Sequence, residues 1–417
     1  RLQLTMLLLS LPPLLTARMR GVEVRALWRL YEDTGGANWT NKENWNPAND
    51  PCRTFRMKKP FEAGTESPVP MRDEYFEATP WFGVGCHDPC DDYLDGPDCA
   101  SGRATSLILR ENNLHGNLTN WTTVRSLANL TFLDLSFNRV SGALPSELGH
   151  INNLEVANFQ YSYLSGTVPT ELGSFNANGE GPIRELTIGQ TELSGVLPSE
   201  LGELTWMQYF DTTHAHISGF LPSQIARLTQ LQALYLMGNA YSGSLPATLG
   251  DGMVHMGYVQ MHQNRISGQL PATLSNMSKV VNLLLQDNRL QGTLPTQLGG
   301  LYEIRQLKLN DNQIGGPVPT QIGRLDGLEE LDLYNNSFTG DLPETIANLI
   351  NLKQLYADNE QLGVLRLHYC RQRMPNVGKY SWHILREEYH RFAQAVCEDP
   401  YSTVEAFGTL DEIAADI

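Results

Sequence analysis

The middle of this 417-residue chain has no cysteine at all. The cysteines are confined to two terminal groups, so disulfides do not hold the middle together. An even number of cysteines near the two ends favours three disulfides in an oxidising compartment. A zinc site is the alternative, since the Cys86-x-x-x-Cys90 spacing suits zinc ligands, but the aspartates around it are typical of a solvated loop. The six cysteines are Cys52, Cys86, Cys90, Cys99, Cys370 and Cys397.

Long apolar runs are also lacking. A membrane-spanning helix needs ~20 apolar residues, and the nearest stretch, residues 2–17, is interrupted by Pro12 and Pro13. The sequence therefore predicts no membrane span. Residues 1–20 are typical of the remainder of a secretory signal peptide. An amphipathic helix is the alternative, because Val22, Ala26 and Leu30 continue an apolar face, and such a helix can also begin after a cleavage site.

Basic residues are few: 30 Lys and Arg stand against 46 Asp and Glu, a formal charge of −16. This balance excludes nucleic acid and anionic membrane as main partners, since both repel a net anion. A hydrophobic share of 41% excludes global disorder. Secretion is further supported by Asn-x-Ser/Thr triplets, which predict glycosylation. The predicted acceptors are Asn38, Asn117, Asn120, Asn129, Asn276 and Asn335.

Motifs of known catalytic sites are missing from the sequence. It contains no His-Glu-x-x-His, no phosphate-binding glycine loop before Lys-Ser/Thr and no Gly-x-Ser-x-Gly. Glu185 with Asp211 is an imaginable acid–base pair, and His214 with His216 and Asp211 an imaginable metal site, but we expect all of them to face solvent. The sequence therefore predicts no catalytic residue, no metal and no cofactor.

A repeat dominates what is present. Gly-x-[Leu/Val]-Pro occurs nine times between Gly142 and Pro343, and its prolines are separated by 24, 29, 24, 24, 25, 24, 24 and 24 residues. Leu-x-Leu-x-x-Asn-x-Leu usually precedes each glycine, and the same frame extends outward to Leu107 and, weakly, to Leu362. Eleven repeats are therefore predicted.

Each repeat has the pattern of one structural unit. Leu-x-Leu alternates as a strand does, the Asn can bond backbone groups of neighbouring loops, and Gly and Pro bend the chain back. One repeat cannot cover its own apolar face, so neighbours must stack. The pattern predicts an α/β solenoid, a right-handed horseshoe with a concave parallel sheet of about eleven strands.

These motifs resemble the leucine-rich-repeat family, specifically the plant-type repeat with Ser-Gly-x-Leu-Pro. The segment Ala26–Thr40, the Asp-Pro-Cys at Cys52 and the Trp-x-Gly-Val-x-Cys at Cys86 are similar to the family's N-terminal cap in algae and other protists. The resemblance implies a Cys52–Cys86 disulfide, which leaves Cys90–Cys99 and Cys370–Cys397 as the other pairs. It divides the chain into a leader (1–20), a disulfide-bonded cap (21–103) with an unusual insert at 53–80, the repeats (104–364), and a C-terminal cap helix with an acidic tail (365–417).

Three consecutive repeats depart from the rule, since Ser162, Thr191 and Ala215 replace the Asn. The longest interval and a polar insert at Ser174–Gly181 fall in the same stretch. Such local inconsistencies often mark functional sites, although neutral drift, with water in place of the Asn, accounts for them equally simply.

Large amphipathic side chains follow the predicted strands beside this break, a composition typical of protein interfaces. We predict that repeats three to seven bind a protein partner through the concave face, with a peptide or glycan as the alternative ligand. The alternative to any binding role is that Tyr simply suits exposed strands. The chain is then a secreted or surface-exposed, non-catalytic recognition or scaffold protein. A soluble inhibitor or carbohydrate or peptide receptor, and the ectodomain of a receptor kinase, are the other hypotheses. The predicted binding residues are Tyr161, Tyr209, Asp211, His214, Tyr235, Met237, Tyr258, Gln260 and His262.

Overall fold

The computed structural model describes residues 21–40, 83–87, 103–176 and 183–357. The predicted leader, the insert at 53–80, the C-terminal helix and tail, and all cysteines but Cys86 lie outside these residues. The disulfide pairs and terminal segments therefore stay predictions. Cys86 lies in the first described strand.

Eleven parallel strands form the concave sheet, which confirms the predicted repeat number. One antiparallel strand, β1 (Gly83–His87), extends the sheet at its N-terminal edge by pairing with the first parallel strand. The parallel strands are β2 (Arg103–Ile108), β4 (Phe132–Asp134), β6 (Val156–Asn158), β8 (Glu185–Thr187), β10 (Tyr209–Asp211), β12 (Ala233–Tyr235), β14 (Tyr258–Gln260), β16 (Asn282–Leu284), β18 (Gln306–Lys308), β20 (Glu330–Asp332) and β22 (Gln354–Tyr356).

A second parallel sheet of ten strands, not predicted from the sequence, lies beside the first. Each of its strands ends in or near the Ser-Gly-x segment, which the sequence analysis interpreted as a bend. The strands are β3 (His115–Asn117), β5 (Arg139–Ala143), β7 (Tyr163–Thr167), β9 (Glu192–Val196), β11 (His216–Phe220), β13 (Ala240–Ser244), β15 (Arg265–Gly268), β17 (Arg289–Thr293), β19 (Gln313–Gly316) and β21 (Ser337–Phe338).

Short 3-10 helices follow most of these strands. Pro145 shows the usual geometry: its carbonyl accepts the N–H of Leu148 at 3.2 Å, and Leu148 is buried. The helices therefore close the core opposite the concave sheet. They span Thr122–Ser126, Ser146–His150, Thr170–Asn176, Ser199–Glu203, Ser223–Arg227, Ala272–Asn276, Thr296–Gly300, Thr320–Arg324 and Glu344–Asn348. A further 3-10 helix, Gly36–Asn38, precedes the first strand.

The repeated Asn bonds the backbone of two neighbouring repeats, as predicted. Asn288 donates from Nδ2 to the carbonyls of Met261, Leu285 and Gln286 at 3.0–3.2 Å, and its Oδ1 accepts the N–H of Ile266 at 3.0 Å. Buried backbone groups that the turns leave unpaired are thereby satisfied.

The N-terminal helix α1 (Gly21–Asp33) packs its apolar face against the first repeat. Ala26 and Leu30 are fully buried, and Trp121 donates from its indole N–H to the Ala26 carbonyl at 3.3 Å. The predicted amphipathic helix is therefore confirmed over these residues. It covers apolar side chains that an open solenoid end would expose.

Candidate functional site on the concave sheet

Strand register aligns the predicted binding residues in columns. Tyr209 lies opposite Glu185 and Ala233, while Tyr235 lies between Asp211 and Gln260 on adjacent strands. Residues that alternate with the buried leucines share the concave face. The register thus brings Glu185, Tyr209, Asp211, Tyr235, Tyr258 and Gln260 onto one surface, which we call the middle concave patch. Met237 and His262 follow two residues after Tyr235 and Gln260 in sequence.

Tyr161 and His214 lie at the rim of the sheet, in a turn that recurs in every complete repeat. Both have left-handed backbone, with φ of 53° and 49°, and both are exposed. The turn follows each concave strand, so these two side chains border the patch. The non-glycine residues with this conformation are Glu111, Asn113, Phe137, Tyr161, Gln190, His214, Gln263, Asp287, Asp311 and Asn335.

Among the described residues, aromatic rings form two separate pairs on the concave sheet and its rim. Tyr209 and Tyr235 meet edge to face, with ring centroids 5.2 Å apart, at the centre of the patch. Tyr161 stacks on Phe137 at 4.4 Å, and the Arg110 guanidinium lies 4.6 Å from the Phe137 ring centroid. Phe137 was missed in the sequence analysis, since the left-handed turn that exposes it has no glycine to signal it.

The carboxylates of the patch, and Asp134 on the nearby strand β4, are less exposed than the sequence predicts. Asp134 and Asp211 are only 1% and 7% exposed, so the expectation that Asp211 faces solvent is wrong, whereas Glu185 is half-buried and faces solvent only in part. Both aspartates accept the N–H two residues ahead, Asp134 from Ser136 at 2.8 Å and Asp211 from Thr213 at 2.7 Å. These bonds fix the turn that ends each strand.

A side-chain bridge crosses the patch. Gln160 donates from Nε2 to Oδ2 of Asp211 at 2.8 Å, although a whole repeat separates their strands. The intervening repeat has Gly189 at the equivalent position, where a Cβ would lie 3.0 Å from Asp211 Oδ1. The absence of a side chain at Gly189 lets the bridge lie flat on the sheet.

Burial and mutual repulsion change the ionisation of this patch. Burial raises the pKa of Glu185 to about 7, and the negative charges of Asp134 and Asp211 add to the shift. Burial likewise raises the pKa of Asp134 and of Asp211, while the pKa of Tyr235 rises to about 12 for the same reason. The patch therefore carries less negative charge at neutral pH than its composition indicates.

The core beneath the patch contains a buried polar pair. Thr212 takes a position that Ile188 and Leu236 fill in the neighbouring repeats, and its hydroxyl lies 3.0 Å from the Tyr241 hydroxyl. Both side chains are fully buried. Thr212 lies in the repeat whose recurring Asn is replaced by Ala215, and Tyr241 lies in the next repeat. In the two preceding repeats, Ser162 and Thr191 replace the recurring Asn and donate only to carbonyls of their own repeat. Ser162 donates to Phe159 and Thr191 to Ile188, both at 2.8 Å.

The histidines do not come together as a metal site would require. His216 lies in β11 of the second sheet, where its Nε2 is 3.2 Å from Glu192, whereas His214 lies at the concave rim. Across the described residues, no group of three His, Cys, Asp or Glu side chains is arranged to hold a metal ion. The same part of the chain contains no helix with the length and apolarity for a membrane span.

The predicted glycosylation acceptors differ in accessibility. Five have exposed side chains, and Asn129 is half-buried. Asn276 also bonds Asp251 Oδ1 at 3.0 Å, and Asn335 bonds Asp311 Oδ1 at 2.7 Å on the concave rim. The exposed acceptors are Asn38, Asn117, Asn120, Asn276 and Asn335, and glycosylation itself stays a prediction.

Comparison with known proteins points to one family. The Leucine Rich Repeat sequence model matches residues 129–151 and 327–349. The ectodomain of the Arabidopsis thaliana membrane receptor kinase GASSHO1/SCHENGEN3, solved with CASPARIAN STRIP INTEGRITY FACTOR 2, is 28% identical over 80% of this chain and 35% of its own length, with a TM-score of 0.65. No curated protein sequence matches this chain.

Two further structures show the same architecture. The Arabidopsis HAESA ectodomain, solved with an IDA peptide hormone ligand, is 26% identical over 60% of this chain and 45% of its own, with a TM-score of 0.51. A plant ice-binding protein is 20% identical over 81% of this chain and 84% of its own, with a TM-score of 0.53, and shares the fold. The chain spans less than half of either receptor structure.

Proposed function

We propose that this chain, which has the fold of a leucine-rich-repeat solenoid, is a non-catalytic extracellular recognition module that binds a polypeptide across the middle concave patch. The main support for this proposal is a row of tyrosines on three adjacent strands, Tyr209, Tyr235 and Tyr258. Each of them is half-buried on the concave face of the sheet. Tyrosine is enriched among residues that dominate binding energy, because it offers a large rigid area with a polar tip.

A peptide is the partner class that the comparisons favour. The HAESA ectodomain, 26% identical to this chain, was solved with a peptide hormone ligand, and the GASSHO1/SCHENGEN3 ectodomain, 28% identical, with CASPARIAN STRIP INTEGRITY FACTOR 2. An extended peptide suits the patch because its residues can follow the column of strands while its backbone bonds polar side chains such as Gln260. The left-handed turns at Tyr161 and at His214 place an aromatic and a polar side chain at the edge of the patch.

The proposal is tested by site-specific photocrosslinking. A benzophenone amino acid replaces Tyr258 in the full chain, and the protein is incubated with the secreted fraction of its source organism. Tyr302 is the matched control, because it is 66% exposed in a loop between a 3-10 helix and β18, away from the patch. We expect a discrete crosslinked polypeptide at position 258 and none at position 302. The same products at both positions would contradict the proposal.

The identified polypeptide then provides a quantitative test. Its affinity is measured for the wild type, the triple variant Tyr209→Ala, Tyr235→Ala, Tyr258→Ala, and the control Tyr302→Ala. Removing interface tyrosines costs ~2 kcal/mol for each dominant residue, so we expect at least a tenfold loss for the triple variant and no loss for the control. An unchanged affinity in the folded triple variant would exclude this surface.

A further inference from the structure

The Glu185 carboxylate lies in an environment that opposes its ionisation. Burial, Asp134 and Asp211 all raise its pKa. On the β10 side it faces Tyr209 and Asp211, and on the β6 side the concave residues are the uncharged Val156 and Asn158. The strands packed against Glu185 thus supply no positive charge to it.

None of the nearby cations in the described part of the chain lowers the pKa of Glu185 itself. Arg184, the next residue in sequence, is 52% exposed at its side chain and lies 3.7 Å from Glu155. Arg110 lies over the Phe137 ring. His214 acts on Asp211, whose pKa it lowers slightly against the larger effect of burial. A positive charge from outside the chain would therefore meet an uncompensated carboxylate.

A second, independent feature lies on the same strand. Thr187 follows Glu185 by two residues on the same face and lies in register between Asn158 and Asp211. Its side chain is only 2% exposed, and its hydroxyl has no hydrogen-bond partner among the described residues. A buried hydroxyl without a partner is unfavourable, so an N–H group entering beside Asp211 would gain an acceptor there.

The bridge over Gly189 contains a neutral donor that such a group could replace. Among the described residues, Asp211 Oδ2 accepts only a neutral amide, that of Gln160. A charged donor makes a stronger hydrogen bond to a carboxylate than a neutral one does. Tyr209 lies in register with Glu185 and places an aromatic ring beside these carboxylates. The faces of aromatic rings attract cations. The carboxylates, the hydroxyl and the ring are the groups that bind guanidinium or ammonium.

We infer that the middle concave patch binds a cationic side chain, arginine or lysine, of the polypeptide ligand, with Glu185 and Asp211 as its counter-charges and Tyr209 as its neighbouring ring. This inference rests on the proposed function and specifies the chemistry of the ligand. It assigns Glu185 as the residue that discriminates a basic peptide from a neutral one.

The test uses the acetylated, amidated tripeptide Arg-Arg-Arg and its neutral analogue with three citrullines, titrated against the full chain by calorimetry. The variant Glu185→Gln keeps the size of the side chain, and its matched control Glu303→Gln removes the same charge from an exposed loop position. Comparing the two variants separates local recognition from attraction by the net charge of −16.

We expect the Glu185→Gln variant to bind the arginine peptide at least fivefold more weakly, and the Glu303→Gln variant to bind it within twofold of the wild type. The citrulline peptide should bind at least tenfold more weakly than the arginine peptide to the wild type. Equal loss in both variants, or equal affinity for both peptides, would overturn the inference. If the tyrosine variants lose the natural ligand and Glu185→Gln does not, only the cationic inference fails. If neither loses it, the proposed function fails.

Discussion

Gln160 reaches Asp211 across an intervening repeat because Gly189 leaves room for the contact. The two side chains meet at 2.8 Å, and a Cβ on Gly189 would lie 2.8 Å from the Thr213 carbonyl and 3.0 Å from Asp211 Oδ1. Leucine-rich repeats normally couple neighbours only. Here a polar contact couples the third repeat to the fifth, at the position where the proposed ligand binds.

Gly189→Ala should therefore destabilise the protein. The added methyl group collides with the backbone of the next repeat, and overpacking of this kind costs ~1–3 kcal/mol. The free energy of unfolding is measured by urea denaturation. The control is Gly257→Ala, since a Cβ there would lie 3.5 Å from the nearest atom, an ordinary contact, and neither glycine has left-handed backbone. Equal losses in the two variants would contradict the steric argument.

The buried hydroxyl pair of Thr212 and Tyr241 should behave as one unit. Tyr241→Phe leaves the Thr212 hydroxyl buried without its partner, and Thr212→Val does the same to Tyr241, so each change should cost ~1–2 kcal/mol. The double variant restores an apolar pair of similar shape. It should cost less than the sum of the single changes by about 1 kcal/mol, a value measured by a double-mutant cycle. Strictly additive losses would show that the two hydroxyls do not interact.

The repeat count and the concave sheet were predictable because both depend on one periodic constraint. Each Leu-x-Leu must bury its leucines, and Leu186, Phe210 and Leu234 are all at most 1% exposed. The role of the repeated Asn followed from the same logic, since a turn that removes backbone from water needs a polar partner. Periodic burial thus predicts the architecture without any knowledge of side-chain contacts.

The second sheet and the burial of the acids were not predictable in this way. Strands such as His216–Phe220 carry Ser-Gly, which favours a turn locally. They become strands because the equivalent segments of neighbouring repeats stack in register. Asp211 is buried by a side chain from two repeats away and by a glycine in the repeat between. Such contacts depend on the spatial stacking of repeats and leave no signal in the local pattern.

The cost of a missing ladder Asn can be measured directly. Asn288 makes four backbone bonds, whereas Thr191, at the equivalent position of the irregular stretch, makes one to Ile188 and a longer one from Leu193 at 3.4 Å. Asn288→Ala should cost roughly 2–4 kcal/mol, and Thr191→Ala only about 1 kcal/mol, because an unpaired buried group costs ~1–3 kcal/mol. Both values come from urea denaturation. Equal costs would show that water replaces the Asn without loss.

Glu185 should make the stability of the protein depend on pH in a defined direction. Its pKa is about 7 in the folded state against an ordinary 4.5, so between these pH values the folded protein holds a proton that the unfolded chain releases. The contribution of this group to stability is complete below pH 4.5 and is lost as pH rises to about 7. Glutamine has no such proton to lose, so Glu185→Gln should remove this dependence.

The measurement compares the wild type with Glu185→Gln by urea denaturation at pH 5 and pH 8. From pH 5 to pH 8, the free energy of unfolding of Glu185→Gln should rise by ~1–2 kcal/mol relative to that of the wild type. One pKa unit corresponds to ~1.4 kcal/mol, and partial hydration of the carboxylate reduces the full effect. Glu303→Gln controls for the general loss of a negative charge and should show no such gain. A difference between wild type and Glu185→Gln that stays constant from pH 5 to pH 8 would mean that water solvates the carboxylate. In that case the concave sheet would have no uncompensated charge to offer a cationic ligand.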